Sequence, residues 1–504
     1  VTYSASVRDP VTAYLKIKTA AIPGRITVKK VDAAGDPLSG IRFLLESSAD
    51  QVNWQEVSAA ETGADGAVCW ENLTADGSTY YRVTEVQTAE GYFLGSEAVP
   101  FTVDGKEEVI TVEKFNKAQK GKISVQKTGD TFASAAVSSS AYTDENGNDI
   151  ALPTIYQPEY SVNGLSGAVF EIYADEDITT PDGTVRAKKD ELVATLKTNT
   201  KGTATSKQIH LGKYRVVEKT APYGFVLNKT VNHIELTYSG QNEKVTNTST
   251  SFTNDRQNVV IDLTKILEQD EKFNIGNNDE ILNVSFGLYA DEDLKALNGT
   301  AIPKDGLLEI ITCDEKGKSQ FTTDIPIGSY YVKEISTDSH YILSDKKYPV
   351  VFEYAGQDTA TVHISVNEGE PIENEIIYGT IKGLKIDRET EETISGALFG
   401  LFSINETKFT EETAILTSES NEEGILTFEN VPYGEYIVRE LKPADGYLPN
   451  EENYTVTISE NKEIIEITIE NDKIPELGTT ATIDGKKEFT VNGDITIDDV
   501  VSYK

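Results

Sequence analysis

An all-β chain built as a tandem array of four sandwiches is what this 504-residue sequence predicts, and three observations predict it. Four segments alternate apolar and polar residues with β-branched enrichment: GRITVKKVD at 24–32, GKISVQKTG at 121–129, NVVIDLTKILE at 258–268 and GTIKGLKID at 379–387. That alternation is the pattern of a half-buried strand. Each is followed by a second such strand: LSGIRFLL at 38–45, LSGAVFEIY at 165–173, LNVSFGLY at 282–289 and ISGALFGLF at 394–402. Finally, one phrase recurs four times: STYYRVTEVQTAEGY (78–92), GKYRVVEKTAPYGF (212–225), GSYYVKEISTDSHY (328–341) and GEYIVRELKPADGY (434–447), with a glutamate seven residues before the closing aromatic. Internal repetition at this period decides the organisation before any residue-level reading.

The elements follow in order within each unit. Small or polar residues ahead of the second strand fit a turn opening onto a core-facing segment. A turn and hairpin come next, as in ETGADGAVCWENL at 61–73 and SNEEGILTFENV at 420–431, then the glutamate phrase, then a closing strand ending EVITVEKFN (108–116), TSFTN (250–254), PIEN (371–374) or EITIEN (466–471). The expected domains are about 24–117, 121–256, 257–377 and 379–474, in an elongated row with linkers of a few residues. The second carries an insertion at about 131–164, rich in Ser, Ala, Asn and Tyr; a long loop of this kind is expected to be functional or without order. Residues 1–23 contain a strand-like AYLKIKTA at 13–20, expected to end a preceding domain, and residues 475–504 begin a further β unit.

Composition bounds the function. A formal net charge of −37 argues against nucleic acid or an anionic membrane as partner, because both call for basic footprints. No stretch approaches the run of roughly 20 apolar residues needed for a membrane span, and neither a secretion signal nor a sorting motif is visible. Met is absent, which points to an internal fragment of a longer or processed protein. The two cysteines, Cys69 and Cys313, fall in different repeats and read as isolated thiols, so no disulfide staples the domains. The histidines His210, His233, His340 and His363 lack metal-ligand spacing. No Gly-rich phosphate loop or nucleophile elbow is present, and no cofactor is expected. The acidic clusters ADED at 174–177 and 290–293 read as solvated turns, without a full calcium ligand set.

One constellation carries chemistry. A lysine, a glutamate and an asparagine recur in the same order in every unit: Lys30/Glu85/Asn116, Lys127/Glu218/Asn254, Lys265/Glu334/Asn374 and Lys385/Glu440/Asn471. Taken singly, each reads as a strand-end charge, a surface acid or a turn former; their recurrence in register with the strand phrases is the signal. An amine attacks an amide only when neutral, and burial disfavours the ammonium. A buried glutamate bonded to both partners can polarise the amide and move a proton to departing ammonia. Fixing the two side chains on adjacent strands supplies an effective concentration worth roughly 7–11 kcal/mol. The product is a Lys–Asn isopeptide between first and last strands, stabilising the domain by roughly 4–5 kcal/mol in the chain-entropy model. It would also let tension bypass the fold. In the third unit LTKILE lacks an acid after the lysine, and SHY replaces the Pro/Gly turn. In the second, Asn242, Asn247 and Asn254 all lie near the end, and Asn254 is chosen because SFTN matches VEKFN.

The phrases K-x-D, L-S-G-A-x-F, Y-x-V-x-E-x-x-A-P-x-G-Y and a terminal V-x-N resemble the Cna B-type (prealbumin-like, immunoglobulin-like) domains of Gram-positive adhesins and pilins, over roughly 450 of the 504 residues. The resemblance implies four prealbumin-like sandwiches, each locked by an autocatalytic isopeptide. Lys30, Lys127, Lys265 and Lys385 are then the nucleophiles, Glu85, Glu218, Glu334 and Glu440 the proton shuttles, and Asn116, Asn254, Asn374 and Asn471 the acceptors. The remnant GTTAT…ITIDDVVSYK looks similar to the start of Thr–Gln ester-bonded repeats, with Thr479 or Thr480 as nucleophile and the glutamine partner beyond the chain. A rival reading of VNGDITIDDVV as half a dockerin calcium loop lacks the required Asp/Asn spacing. The implied protein is no enzyme. It is a structural stalk or backbone of a cell-wall-anchored surface protein or pilus, with sortase as partner of the full-length protein. The alternatives are an adhesin module contacting a host protein or glycan through the 131–164 insertion, and a surface hydrolase whose catalytic domain lies elsewhere.

Overall fold

The computed structural model describes residues 23–503, apart from 33, 96, 104–108, 140, 144–148, 152, 297–298, 300 and 483–496; the expected strand at 13–20 lies outside the described residues. No α-helix occurs among the described residues, which hold only two 3-10 turns, Glu280–Asn283 and Val366–Gly369. The chain divides into two units. The first holds residues 1–131, 160–257 and 354–360, and the second holds 132–159, 258–353 and 361–504.

Each domain is a sandwich whose first strand is the middle of one sheet. In the first, Gly24–Val31 runs antiparallel to Ala67–Leu73 and parallel to the last strand, Val109–Phe115. The facing sheet is ordered Gln55–Glu61, Arg42–Ser48, Tyr80–Gln87, Val99–Thr102. A parallel neighbour demands a long crossover, and here the whole intervening domain supplies it. The same plan recurs. Lys120–Ser138 lies parallel to Val245–Asn254, Asn258–Leu267 to Thr361–Ser365 and Ile372–Asn374, and Tyr378–Asp387 to Ile464–Asn471.

Period-two alternation builds the cores. Ile26 and Val28 of the first strand turn inward, as do Ile123 and Val125, then Ile261 and Leu263. Opposite them sit Phe43, Phe170, Phe286 and Phe399 of the second strands, all fully buried. Each such ring contributes roughly 1.5–3 kcal/mol by leaving water.

Both ends of the 131–164 insertion are strands. The first strand of the second domain continues to Ser138, and Ile155–Gly164 returns as a strand. Phe132, Ala135 and Tyr156 pack against the core that contains Phe286 and Leu308. Thr, Val and Tyr in the segment carry strand propensity, and the apolar surface it lies on is a tertiary fact.

Junctions differ in chemistry. In the first unit, the buried Gln119 between domains one and two accepts from the Ser239 amide (3.0 Å) and donates to the carbonyls of Gly240 (2.9 Å) and Glu243 (2.6 Å). Gln241 of that loop answers, accepting from Thr88 N–H (2.9 Å) and donating to Val86 O (3.2 Å). Gln257 and Gln357 repeat the exchange. Gln257 accepts from Ala355 N–H (2.8 Å) and donates to Thr359 O (2.7 Å), while Gln357 accepts from Ala221 N–H (2.9 Å). Between domains three and four, in the second unit, the junction is apolar: Ile275, Tyr341 and Ile376 form a small core with Leu267, Phe273 and Tyr378.

Candidate functional site

The alternation that buries the core also buries a lysine in each domain. Lys30 follows Ile26 and Val28 on the inward parity, and Lys127, Lys265 and Lys385 occupy the same place; all four are 0–1% exposed. The glutamates arrive from the facing sheet by the same rule, after Tyr81 and Val83, Tyr214 and Val216, Tyr330 and Val332, or Tyr436 and Val438. Register is constant: Glu85, Glu218, Glu334 and Glu440 stand opposite Phe43, Phe170, Phe286 and Phe399. The asparagines end the last strands and are likewise buried.

The structure joins the expected lysine, glutamate and asparagine in three of the four domains. In the first domain, Lys30 Nζ donates to Glu85 Oε2 at 2.7 Å and to Asn116 Oδ1, while Asn116 Nδ2 donates to Glu85 Oε1 at 2.7 Å and to Thr88 Oγ1. In the second, Lys127 Nζ donates to Asn254 Oδ1 and lies 3.2 Å from Glu218 Oε1; Asn254 Nδ2 donates to both Glu218 oxygens at 3.0 and 2.9 Å. In the fourth, Lys385 Nζ meets Asn471 Oδ1 at 2.5 Å and lies 3.7 Å from Glu440 Oε1, and Asn471 Nδ2 donates to Glu440 at 2.9 and 3.1 Å.

The third domain is arranged differently. Asn374 Nδ2 donates to Glu334 at 2.9 and 3.0 Å, but Lys265 Nζ is spent on the carbonyls of Ile266 (2.9 Å) and Ile372 (3.1 Å). Asn374 Oδ1 is buried with no hydrogen-bond partner. A buried orphan acceptor is costly.

Burial weakens the ammonium form of three of the lysines. Burial holds the Lys265 and Lys385 ammonium groups down to about 8 from 10.5, each partly restored by its glutamate, and burial lowers Lys127 in the same way. A carboxylate only accepts hydrogen bonds, so each glutamate selects the amide nitrogen and turns the carbonyl oxygen away. In domains one, two and four that oxygen faces the amine. The group can therefore present a neutral amine to a polarised amide beside a carboxyl able to shuttle a proton.

Several supporting groups were not singled out from sequence. The Lys30, Lys127, Lys265 and Lys385 amides each donate to the carbonyl of a glycine, Gly66, Gly202, Gly317 or Gly424, at 2.7–2.8 Å. These glycines have φ of 68–76°, and a Cβ there would lie 1.9–2.6 Å from the lysine carbonyl oxygen. The signal was present as ADG, TKG, EKG and EEG in the hairpin phrase. Ten residues after three of the glutamates, the backbone N–H of Asn228, Ser344 or Asn450 donates to Oε2 at 2.7–2.9 Å. Thr88 and Thr337, which also contact acceptor amides, lie three residues after their glutamates.

Thr479 and Thr480 lie exposed on Leu477–Thr482, paired with Asp498–Tyr503 opposite Val501 and Val500. Both cysteines are free, Cys313 buried and Cys69 exposed. The acidic clusters have partners at their turns: Asp177 is ion-paired with Lys188 and Asp291 with Lys304, and Asp175 is hydrogen-bonded to His233.

A family model described as SpaA, prealbumin-like fold domain, matches residues 24–118, 154–251, 269–368 and 379–473. Among solved structures, the chain is similar to the Bacillus anthracis TIE protein, with 20% identity and a TM-score of 0.49 over 87% of this chain and 70% of that one. It is also similar to BcpA, the major pilin subunit of Bacillus cereus, with 17% identity and a TM-score of 0.30 over 71% of this chain and 100% of the other. A further likeness is to the full-length major pilin SpaD of Corynebacterium diphtheriae, with 15% identity and a TM-score of 0.20 over 70% and 97%. No curated protein sequence matches the chain.

Proposed function

The chain belongs to the SpaA prealbumin-like fold domain family, and from that premise we propose that it is a structural stalk of a Gram-positive cell-surface or pilus-like protein. Each domain is locked by its own single-turnover Lys–Asn isopeptide reaction. The observation that supports the reading is the buried Lys–Glu–Asn group of the first, second and fourth domains, with the glutamate in the same register in all four.

The reaction is balanced within the chain. The neutral lysine Nζ adds to the asparagine Cγ, the Cγ–Nδ2 bond breaks, one proton passes from Nζ through the glutamate to Nδ2, and ammonia leaves. First and last strands are parallel neighbours, so the new bond ties the strand where tension enters to the strand where it leaves. Nothing is turned over, and the protein acts as a covalently reinforced element rather than an enzyme. Attachment of the full-length protein to the cell wall by sortase belongs to the same reading. The packing of Phe132, Ala135 and Tyr156 favours a bracing ribbon over a free ligand-binding loop.

Intact mass with domain-wise peptide mapping tests this. Each bond removes one ammonia, about 17 Da, so four bonds lower the mass by about 68 Da. An unmodified mass would leave four ordinary sandwiches and remove the covalent stalk.

A further inference from the structure

We infer that Thr88 and Thr337 are positioning residues for the cross-link, holding the asparagine nitrogen that departs as ammonia; this rests on the reaction proposed above. Thr88 Oγ1 accepts from Asn116 Nδ2, and Thr337 Oγ1 accepts from Asn374 Nδ2 at 3.0 Å. Both stand three residues after the shuttle glutamate, where the other two domains carry Ala221 and Pro443. In the fourth domain a backbone group, Leu448 O, accepts from Asn471 Nδ2 at 3.0 Å.

A primary amide has two N–H donors, and inside a core each needs an acceptor or incurs a desolvation cost. The glutamate takes one side. The threonine hydroxyl takes the other, and together they leave the carbonyl oxygen only one direction to face. The third domain separates this effect from the amine. There Lys265 is engaged elsewhere and Asn374 Oδ1 has no partner, yet the amide nitrogen still sits between Glu334 and Thr337. The amide is therefore held in place there without engagement of the lysine. As Nζ–Cγ forms and Cγ–Nδ2 breaks, the hydroxyl keeps Nδ2 beside the carboxyl while it takes the proton and leaves as ammonia.

The full chain, recovered unfolded and uncrosslinked, is refolded, quenched in acid at intervals, and scored for ammonia loss in each domain. Thr88→Val keeps the shape and removes the acceptor, and it should slow the first domain about 10-fold, the scale of one lost neutral hydrogen bond. Thr88→Ser should stay within about twofold of the parent. Domains two and four of the same molecules serve as internal clocks and keep their rates. The midpoint of the rate against pH should not move, because the amine's burial is untouched; a merely loosened core would shift it. Thr337→Val gives a second case in the third domain should Thr88→Val fail to fold. Unchanged rates in folded valine variants, or slowing with a shifted midpoint, would overturn the assignment. If the parent chain itself never loses ammonia, the cross-link reading fails instead.

Discussion

Glu440→Gln isolates the energetic worth of the cross-link in the fourth domain. Gln keeps the volume of the side chain and can still accept from Asn471 Nδ2, but it cannot carry the proton, so the bond between Lys385 and Asn471 should not form. Those residues are 86 apart in sequence, and the chain-entropy relation for a loop of that length gives about 4.6 kcal/mol at 25 °C. The amine also loses the carboxylate that lay 3.7 Å away, which adds to the deficit. At about 1.4 kcal/mol per factor of ten, the amides of Tyr378–Asp387 and Ile464–Asn471 should lose about 2000-fold in hydrogen-exchange protection. Peptide mapping of the same sample should show the fourth domain about 16 Da heavier than in the parent, the retained ammonia adding about 17 Da and the Glu-to-Gln change removing about 1 Da. The reasoning is refuted if the variant still loses ammonia. It is equally refuted if the bond is absent and protection falls by less than about tenfold.

Other outcomes follow from the same geometry. The third domain should be the last to lose ammonia on refolding, because Lys265 must first leave the Ile266 and Ile372 carbonyls; a time course with all four domains resolved checks the order. Bond formation in the fourth domain should accelerate as pH rises through about 8 and level off above it, since attack needs the free amine of Lys385. The linkage sign agrees: between about 8 and 10.5 the folded, unreacted domain binds fewer protons than the unfolded chain, so its stability rises with pH across that window. An Asn471→Ala chain, which cannot react, should show this in denaturant midpoints, and a flat midpoint would contradict it. Gln119→Ala removes the side-chain hydrogen bonds to Ser239, Gly240 and Glu243 and should cost about 1–3 kcal/mol locally. Hydrogen exchange at 239–243 should rise while the domain cores stay protected.

The all-β class and the four-fold repetition were legible because strand alternation and turn chemistry are local, and repetition multiplies a weak signal. Lys, Glu and Asn could be named from recurrence alone, although no single copy is distinctive. Their burial was legible too, in the shared parity of Ile26, Val28 and Lys30 and of Tyr81, Val83 and Glu85. The role of Gly66, Gly202, Gly317 and Gly424 was hidden because a turn glycine looks alike whether it closes a hairpin or seats a lysine.

Neighbours far apart in the chain were decided by tertiary structure alone. Which sheet delivers the glutamate to the lysine depends on how two sheets face each other, and period-two patterns carry no information about the partner sheet. The engagement of Lys265 with the Ile266 and Ile372 carbonyls depends on ångström-scale competition between backbone carbonyls and a side-chain amide, for which composition has no signature. The glutamine exchange around Gln119 and the packing of Phe132, Ala135 and Tyr156 depend on surfaces that exist only after folding. Local pattern sets what each strand is and which face it buries; the close packing of sheets sets what those buried faces meet.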